Sequence, residues 1–376
     1  MVARLGDIAT YINGYAFKPS DWADTGVPII RIQDLTGNSY QTNKYKGTYD
    51  KKYEVVDGDI LISWSASLGV YVWKGEKALL NQHIFKVVFD KTEIDKDFFV
   101  HQVRAVLQNA TSEAHGATMK HLTKPVFDSL PFYLPSMEEQ KNISQKLNSV
   151  SMLIETKKLQ LEKLDELVKA RFVELFGDPE DNPKKWSKET LSNHLNVVGG
   201  YAFKSDSFLE EGIPVLRIGN INAGFFKSVN MVYWQYDDSL SRYMMYAGDL
   251  VMSLTGTVGK DDYGNVCILG NDYNCYYLNQ RNAKLELFQT IDKYYLSQIL
   301  KFPAIKKKLT GISRGVRQAN ISNKDILNLE IPIPPIELQN EFADFVKEVD
   351  KSKFEVQQSL EKLETLKKSL MQQYFG

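Results

Sequence analysis

The sequence predicts an α+β protein built twice: two pseudo-symmetric α+β domains separated by two long helices that form an antiparallel coiled coil. Three observations carry this. Gly14-Tyr15-Ala16-Phe17-Lys18 returns as Gly200-Tyr201-Ala202-Phe203-Lys204, and Gly26-Val27-Pro28-Ile29-Ile30-Arg31-Ile32 returns as Gly212-Ile213-Pro214-Val215-Leu216-Arg217-Ile218, both 186 residues on. The offset drifts to 190 at Gly58-Asp59-Ile60 and Gly248-Asp249-Leu250, and to 199 from Pro135 and Pro334 onward, as a few loop insertions in the second copy would produce. An apolar stripe at a 3.5-residue period then closes each copy.

The predicted boundaries follow in order: a mixed domain over residues 1–135, a helix over 136–177, a second mixed domain over 178–334 and a second helix over 335–376. In the mixed parts, β-rich runs such as Val27–Ile32, Asp59–Ser63 and Val70–Trp73 are punctuated by turn signals at Asp57-Gly58, Gly37-Asn38 and Tyr263-Gly264-Asn265. Helical spacing shows near Phe98–Leu107 and Tyr294–Leu300. Strand order does not follow from these signals.

The first stripe runs Ile143, Leu147, Val150, Ile154, Lys157, Leu161, Leu164, Val168, Arg171, Leu175, and the second, 199 residues on, Phe342, Val346, Val349, Lys353, Val356, Leu360, Leu363, Lys367, Leu370, Tyr374. Lys157 stands against Val356 and Lys353 against Ile154, which suits two unlike helices of one chain. Ser136 with Glu139 reads as a capping box, Pro334-Pro335 as the equivalent start, and Gly177 before Asp178-Pro179 as a stop. About 40 residues of helix is ~60 Å, more than a small domain needs. The helices therefore read as spacers, the alternative being core helices of one large domain. Packed antiparallel, they place the two domains at opposite ends and bring the termini together.

The 376 residues are globular in composition, 43% hydrophobic and 25% charged, with a formal net charge of −1. That balance argues against holding DNA through bulk charge alone, yet permits a basic face or a partner that shares the phosphate contacts. No apolar run approaches the ~18 residues a membrane helix needs, and the start lacks a secretory signal, so a cytoplasmic location and no membrane partner are expected. Cys267 and Cys275 lack counterparts in the first copy; a metal pair or a disulfide is possible in principle, and two ordinary thiols in a reducing compartment is the plainer reading.

Half-chain duplication suits a partner of two-fold character, of which duplex DNA is the commonest, and two heads at a fixed separation suit two short sequences about one helical turn apart, ~34 Å. The basic residues support this. Lys301, Lys306, Lys307, Lys308, Arg314, Arg317 and Lys324 cluster with one acid, Asp325, and the matching stretch of the first copy holds Arg104, Lys120, Lys124, His101, His115 and His121 with one acid, Glu113. From these, Lys307, Arg314, Arg317, Lys120 and His121 are candidate DNA contacts, with Gln318 and Asn320 beside them; the alternative is a solvated charged face. The loops at Ser65 and Ser67 and at Thr255, Thr257 and Lys260 offer hydroxyls and amides to phosphates or base edges, or merely join strands. Asn81-Gln82-His83 and Asn279-Gln280-Arg281 offer amides suited to adenine and an arginine suited to guanine, with Gln82, His83 and Arg281 as the candidates, or form strand-end hydrogen-bond clusters. Tyr15, Lys18, Tyr201 and Lys204 either clamp the sugar-phosphate or form a packing corner.

Catalytic signals are missing. Gly256-Thr257-Val258-Gly259-Lys260 has the wrong glycine spacing for a phosphate loop, and Asp261 follows the lysine. No Asn-Pro-Pro-Tyr-type or Asp-Pro-Pro-Tyr-type run for amino methylation occurs. With His194 alone in the second copy, no histidine site is shared by both copies, and five scattered histidines lack metal spacing. Asp178, Glu180 and Lys184 make a poor nuclease centre.

With these residues in order and duplicated, the chain resembles the specificity subunit of type I DNA restriction-modification systems over essentially its full length. The carriers are the two Gly-Tyr-Ala-Phe-Lys segments with their downstream strands, Gln318-Ala319-Asn320-Ile321-Ser322, Ile331-Pro332-Ile333-Pro334-Pro335-Ile336-Glu337-Leu338-Gln339, and Leu175-Phe176-Gly177-Asp178-Pro179 through Trp186. The first copy departs at Ala117-Thr118-Met119-Lys120-His121, where the second has Gln318-Ala319-Asn320. The resemblance implies two target-recognition domains, each reading half of a bipartite asymmetric site in double-stranded DNA, and a coiled coil that sets the spacer. It implies a non-catalytic subunit without cofactors of its own, joined by two methylation subunits and two restriction/translocase subunits that carry S-adenosylmethionine, ATP and Mg2+. A coiled-coil protein-binding adaptor and a single-chain DNA-modifying enzyme are the alternatives.

Overall fold

The computed structural model describes residues 2–37, 41–112, 123–222, 224–260, 262–311 and 318–376. They form two compact units, residues 1–159 with 357–376 and residues 160–356, so each unit takes one part of both long helices.

In the first unit an antiparallel sheet runs Thr10–Asn13, Ile84–Val88, Ile60–Ser63, Gly69–Val72. A second sheet runs Lys44–Tyr45, Val27–Ile30, Ala78–Leu80, Glu54–Val55, with Val27–Ile30 and Ala78–Leu80 parallel. Ile60, Ile62, Val70 and Phe85 pack into one apolar cluster with Phe98, Val103 and Leu107 of the helix Lys96–Ser112, while Leu61 and Ile84 pack into another with Ile30 and Leu80. Both faces of the central strand are covered, which is why Ile60-Leu61-Ile62 is a continuous apolar run instead of an alternating one.

The second unit repeats the plan. Its sheets run Leu195–Gly199, Asn282–Leu287, Leu250–Ser253, Val266–Ile268, and Tyr233–Trp234, Ile213–Leu216, Tyr276–Leu278, Met244–Met245. Ile213–Leu216 and Tyr276–Leu278 are again parallel, and Leu250 and Met252 again face one cluster while Val251 faces the other. Among the described residues it also has a ribbon of Thr255–Thr257 paired with Gln318–Asn320. The run expected to stay extended from Val27 to Ile32 ends at Ile30. There the Asp34 carboxylate accepts the Arg31 amide at 2.7 Å and starts a short helix, Ile32–Leu35. Asn220 does the same for the Arg217 amide at 2.9 Å.

The long helices span Met137–Phe176 and Ile336–Phe375. Ser136 caps the first, its Oγ accepting from the Glu139 amide at 3.2 Å. Gly177 ends it at φ +81°, where a Cβ would meet Pro183 Cγ at 2.6 Å. Every position of both stripes is buried or half-buried. Within the first unit, Ile143 and Leu147 share a core with Leu370, Met371, Tyr374 and Phe375, and Lys158 pairs with Glu364 at 3.9 Å. Within the second, Phe172 meets Phe342 with centroids 5.4 Å apart, Arg171 pairs with Glu341 at 2.7 Å, and Lys353 with Asp165 at 2.6 Å. Residue numbers fall on one helix as they rise on the other, so in each unit the two segments run antiparallel.

Both cysteines are free; Cys267 is buried, and burial pushes its thiol up to about 12. Among the described residues no helix is long and apolar enough to cross a membrane.

Candidate nucleic-acid interface

One run of backbone hydrogen bonds connects the candidates of the second unit. The Gln280 amide donates to Tyr201 O at 2.9 Å, Leu254 N to Arg281 O at 2.8 Å, and Ile321 N to Leu254 O at 2.8 Å. From there Thr255 pairs with Asn320 and Thr257 with Gln318. Leu254, Ala319 and Ile321 are buried and fasten the ribbon, while Thr257, Lys260, Arg281, Asn320 and Lys204 are exposed and Thr255 half-exposed. A two-stranded β-ribbon is of a width that the DNA major groove admits. The Asp262 carboxylate accepts the Thr257 amide at 2.8 Å, which holds it below the usual carboxylate range and keeps it charged.

Behind the ribbon lies the helix Pro303–Thr310, with Lys307 and Lys308 exposed. Its end is fixed by Tyr263, 3% exposed, whose hydroxyl donates to Thr310 O at 2.6 Å. Lys306 Nζ donates to Asn265 Oδ1 at 2.6 Å. Arg314 and Arg317 lie outside the described residues, as does the side chain of Gln318.

The first unit has the same connection. The Gln82 amide donates to Tyr15 O at 2.9 Å, and Trp64 N to His83 O at 3.2 Å. His83 takes φ +74°, and the Trp64 indole covers Phe85 at 5.7 Å and 25°, donating from Nε1 to Asn13 Oδ1 at 3.1 Å. Gln82 and His83 are half-buried, Lys18 and Ser67 exposed, and Ser65 only 4% exposed, so its hydroxyl does not share the outer surface. Lys120 and His121 lie outside the described residues.

Tyr15, 46% exposed, sets its ring edge against Phe17 at 4.9 Å and Tyr53 at 5.6 Å; Tyr201 does so against Phe203 at 4.9 Å, with Tyr243 tilted at 5.4 Å. Both tyrosines are thus packing corners with one open side. The asparagines of the two triplets are engaged locally: Asn81 Oδ1 accepts from the Gln82 amide at 2.9 Å, and Asn279 Oδ1 from the Arg281 amide at 3.3 Å. Sequence reasoning made none of Trp64, Tyr263, Asn265 and Lys306 a site candidate, although Tyr263 and Asn265 belong to a turn it marked, Trp64 to a marked loop and Lys306 to the basic cluster.

His194 bonds Thr290 through Nδ1 at 2.9 Å and Glu189 through Nε2 at 3.2 Å, far along the chain from the ribbon. Among the described residues no group of three or more His, Cys, Asp or Glu side chains is placed to hold a metal ion.

The family model described as type I restriction modification DNA specificity domain matches residues 1–166 and 183–367. The EcoBI specificity subunit of Escherichia coli is 24% identical, across 99% of this chain and 84% of its own length. The MjaVIII specificity subunit of Methanocaldococcus jannaschii is 26% identical, across 98% and 90%. In fold, the chain is similar to a type I restriction-modification S subunit from M. genitalium, with a TM-score of 0.56 at 15% identity, covering 99% of this chain and 94% of that one. A second structure, from work on complex assembly and conformational transition of the type I R-M system, gives 0.54 at 16% identity, covering 100% and 97%. The duplicated units and their sequence match agree, and the chain belongs to the type I restriction-modification DNA specificity family.

Proposed function

We propose that this chain is the DNA sequence-specificity subunit of a type I restriction-modification complex and performs no chemistry itself. Residues 1–135 and 178–334 each read one half of a bipartite, asymmetric site, and the long helices set the spacer between the halves. The observation that carries this reading is one repeated scaffold of strands and backbone bonds that ends in two different outer surfaces. In the second unit, Arg281, Lys260, Thr255, Thr257, Asn320 and Lys307, with Arg314, Arg317 and Gln318 beyond the described side chains, are the proposed contacts, with Tyr201 and Lys204 toward the sugar-phosphate. Gln82, His83, Ser67, Lys120, His121, Tyr15 and Lys18 are their counterparts in the first, without the buried Ser65.

A net charge of −1 fits a subunit whose partners share the phosphate contacts. Two methylation subunits and two motor-nuclease subunits are the proposed partners, bringing S-adenosylmethionine, ATP and Mg2+. Apolar side chains off the helix seam favour partner docking: Met152, Leu153, Leu159 and Leu366 are exposed in the first unit, Leu167, Val173 and Phe354 in the second.

The test is a map of methylated adenines in cells carrying the chain and its methylation partner. Exchanging residues 178–334 for the same region of a relative should change one half-site and leave the other. Removing one heptad from the seam of each long helix should shorten the spacer by ~10 Å, about three base pairs, with both half-sites kept. A map indifferent to both changes would leave a protein-binding adaptor as the better reading.

A further inference from the structure

At the tip of the first unit three uncharged segments converge. The Gln82 amide donates to Tyr15 O at 2.9 Å, Gly14 N to Ile84 O at 3.1 Å, and Trp64 N to His83 O at 3.2 Å. The segments belong to residues 8–17, 60–73 and 78–85, stretches without a Lys, Arg, Asp or Glu. Trp64 stands at their junction. Its indole stacks on Phe85 at 5.7 Å and 25°, meets the His83 ring edge-on at 4.9 Å, and donates from Nε1 to Asn13 Oδ1 at 3.1 Å. Phe85 is 2% exposed, so the stack is seated on the core, while Trp64 itself is only half-buried. Indole has a single polar hydrogen, and the bond to Asn13 engages it. What the ring still presents is a fixed apolar surface.

The second unit builds the same corner from the opposite chemistry. Leu254 takes the place of Trp64, its amide donating to Arg281 O at 2.8 Å as that of Trp64 does to His83 O. Leu254 is 6% exposed, and Ile321 N donates to its carbonyl at 2.8 Å as the ribbon begins. What reaches the surface there is Thr257, Lys260, Arg281 and Asn320. One copy thus has a buried aliphatic anchor beneath charged and amide groups. The other, among the described residues, has a part-exposed aromatic ring with no charged side chain in the three segments around it. A corner that only closed the sheet would keep one solution in both copies, as Tyr15 and Tyr201 do in bridging Asn81 and Asn279.

We propose that Trp64 is a specificity-determining residue of the first unit and reads the 5-methyl group of a thymine in the major groove. The inference rests on the reading of residues 1–135 as the recognition domain for one half-site. In the major groove the base edges present hydrogen-bonding groups and one apolar feature, the thymine methyl. A ring whose only donor is engaged can tell bases apart there and nowhere else. Gln82, next to it, carries the side-chain amide that suits the adenine of the same pair. The first half-site therefore contains an A·T pair recognised through its methyl, whereas Arg281 suits a guanine in the second. The Phe85 stack and the Asn13 bond hold the ring before DNA arrives, so little rotamer freedom is lost on binding.

The test uses the full chain with its methylation partner and duplexes bearing the site read from the methylated-adenine map. Each thymine of the first half-site is replaced in turn by deoxyuridine, which lacks only the methyl. One replacement should weaken binding about fourfold, as burial of one apolar carbon gives. Trp64→Phe, which keeps an apolar ring, should retain that response, and Trp64→Gln should bind the thymine and deoxyuridine duplexes alike. Should Trp64→Gln fail to fold, the parent chain decides. With 5-iododeoxyuridine at the responsive position, the iodine standing where the methyl was, irradiation should cross-link the DNA to Trp64, read by mass spectrometry. A first half-site without a responsive thymine, a response that survives in Trp64→Gln, or a cross-link to another residue overturns the proposal. A Trp64→Gln chain that binds DNA like the parent but releases its methylation partner would make the ring a protein contact and overturns it as well. A map with no methylated site fells the specificity reading and this inference with it; a site indifferent to the methyl fells this inference alone.

Discussion

In the first unit the central strand Ile60–Ser63 ends at Trp64, whose indole lies over Phe85. In the second the matching strand Leu250–Ser253 continues through buried Leu254 into Thr255–Thr257, which pairs with Gln318–Asn320. Below these points the units use the same devices. Lys86 pairs with Asp59 at 2.9 Å and Lys284 with Asp249 at 3.0 Å, the parallel strand pair recurs, and a tyrosine bridges the same asparagine. The lesson is a division of labour along each strand: among the described residues both copies retain what holds the sheets together and differ where the strands reach the surface. An arrangement that reads two unlike sequences needs that division, because a change at the tip must not unfold the base.

The strongest test of the shared base lies at Gly14 and Gly200. A Cβ there would sit 2.0 Å from Asn81 O and 2.1 Å from Asn279 O, against backbone that cannot move without breaking the tyrosine bridge. Gly14→Ala and Gly200→Ala should each destabilise their unit by about 3 kcal/mol. Urea unfolding with a probe in each unit checks this, and a tolerant site in either copy would break the equivalence.

Effects at the tips should be smaller and confined to one half-site. Arg281→Ala or Asn320→Ala should relax discrimination at the second half-site by about 1–3 kcal/mol per base pair contacted, leaving the first untouched. Tyr263→Phe removes only the hydroxyl that holds Thr310 O, and should weaken the same half-site by about 1 kcal/mol without loss of global stability. Competition binding with duplexes altered in one half at a time reads all three. Equal losses at both halves would show that the tips are not independent.

Much of this was legible in the sequence, for identifiable reasons. The long helices declare themselves because a 3.5-residue stripe, a Ser136 cap and a Gly177 stop are local signals of backbone geometry. The duplication exposes the domain plan because both copies keep residues that the fold constrains. Strand order was not legible: Val27–Ile30 finds Ala78–Leu80 across some fifty residues, and no local pattern encodes that pairing. Nor was the ribbon, since Thr255-Gly256-Thr257 has the composition of a turn and becomes a strand only because Gln318–Asn320 lies beside it. The candidate triplets were half legible. Their position at a strand end is borne by the sequence, but the inward engagement of Asn81 and Asn279 depends on contacts that one segment cannot show.

The smallest expected difference between the units is in acid sensitivity, and it concerns a buried group that only one of them has. The Asp95 and Asp292 amides both donate to a glutamine on a long helix, Gln140 at 3.0 Å and Gln339 at 2.9 Å, and that register places Gln298 of the second unit where the first has His101. Burial holds the His101 imidazole below its ordinary value, against the Asn148 hydrogen bond and Asp97, which favour the charged form, and with Arg104 and Lys367, which oppose it. The folded first unit therefore binds this proton less readily than the unfolded chain, where a histidine titrates near ~6.5. The stabilisation is full above that value and is lost as pH falls through the lower, folded value. The first unit should lose urea resistance between neutral pH and pH ~5 by more than the second. His101→Gln, which copies the second unit and does not titrate, should flatten that difference while leaving neutral-pH stability nearly unchanged. Unfolding midpoints of the two units at both pH values, in the parent and the variant, decide it; a slope that persists in His101→Gln would place the acid-sensitive group elsewhere in the first unit.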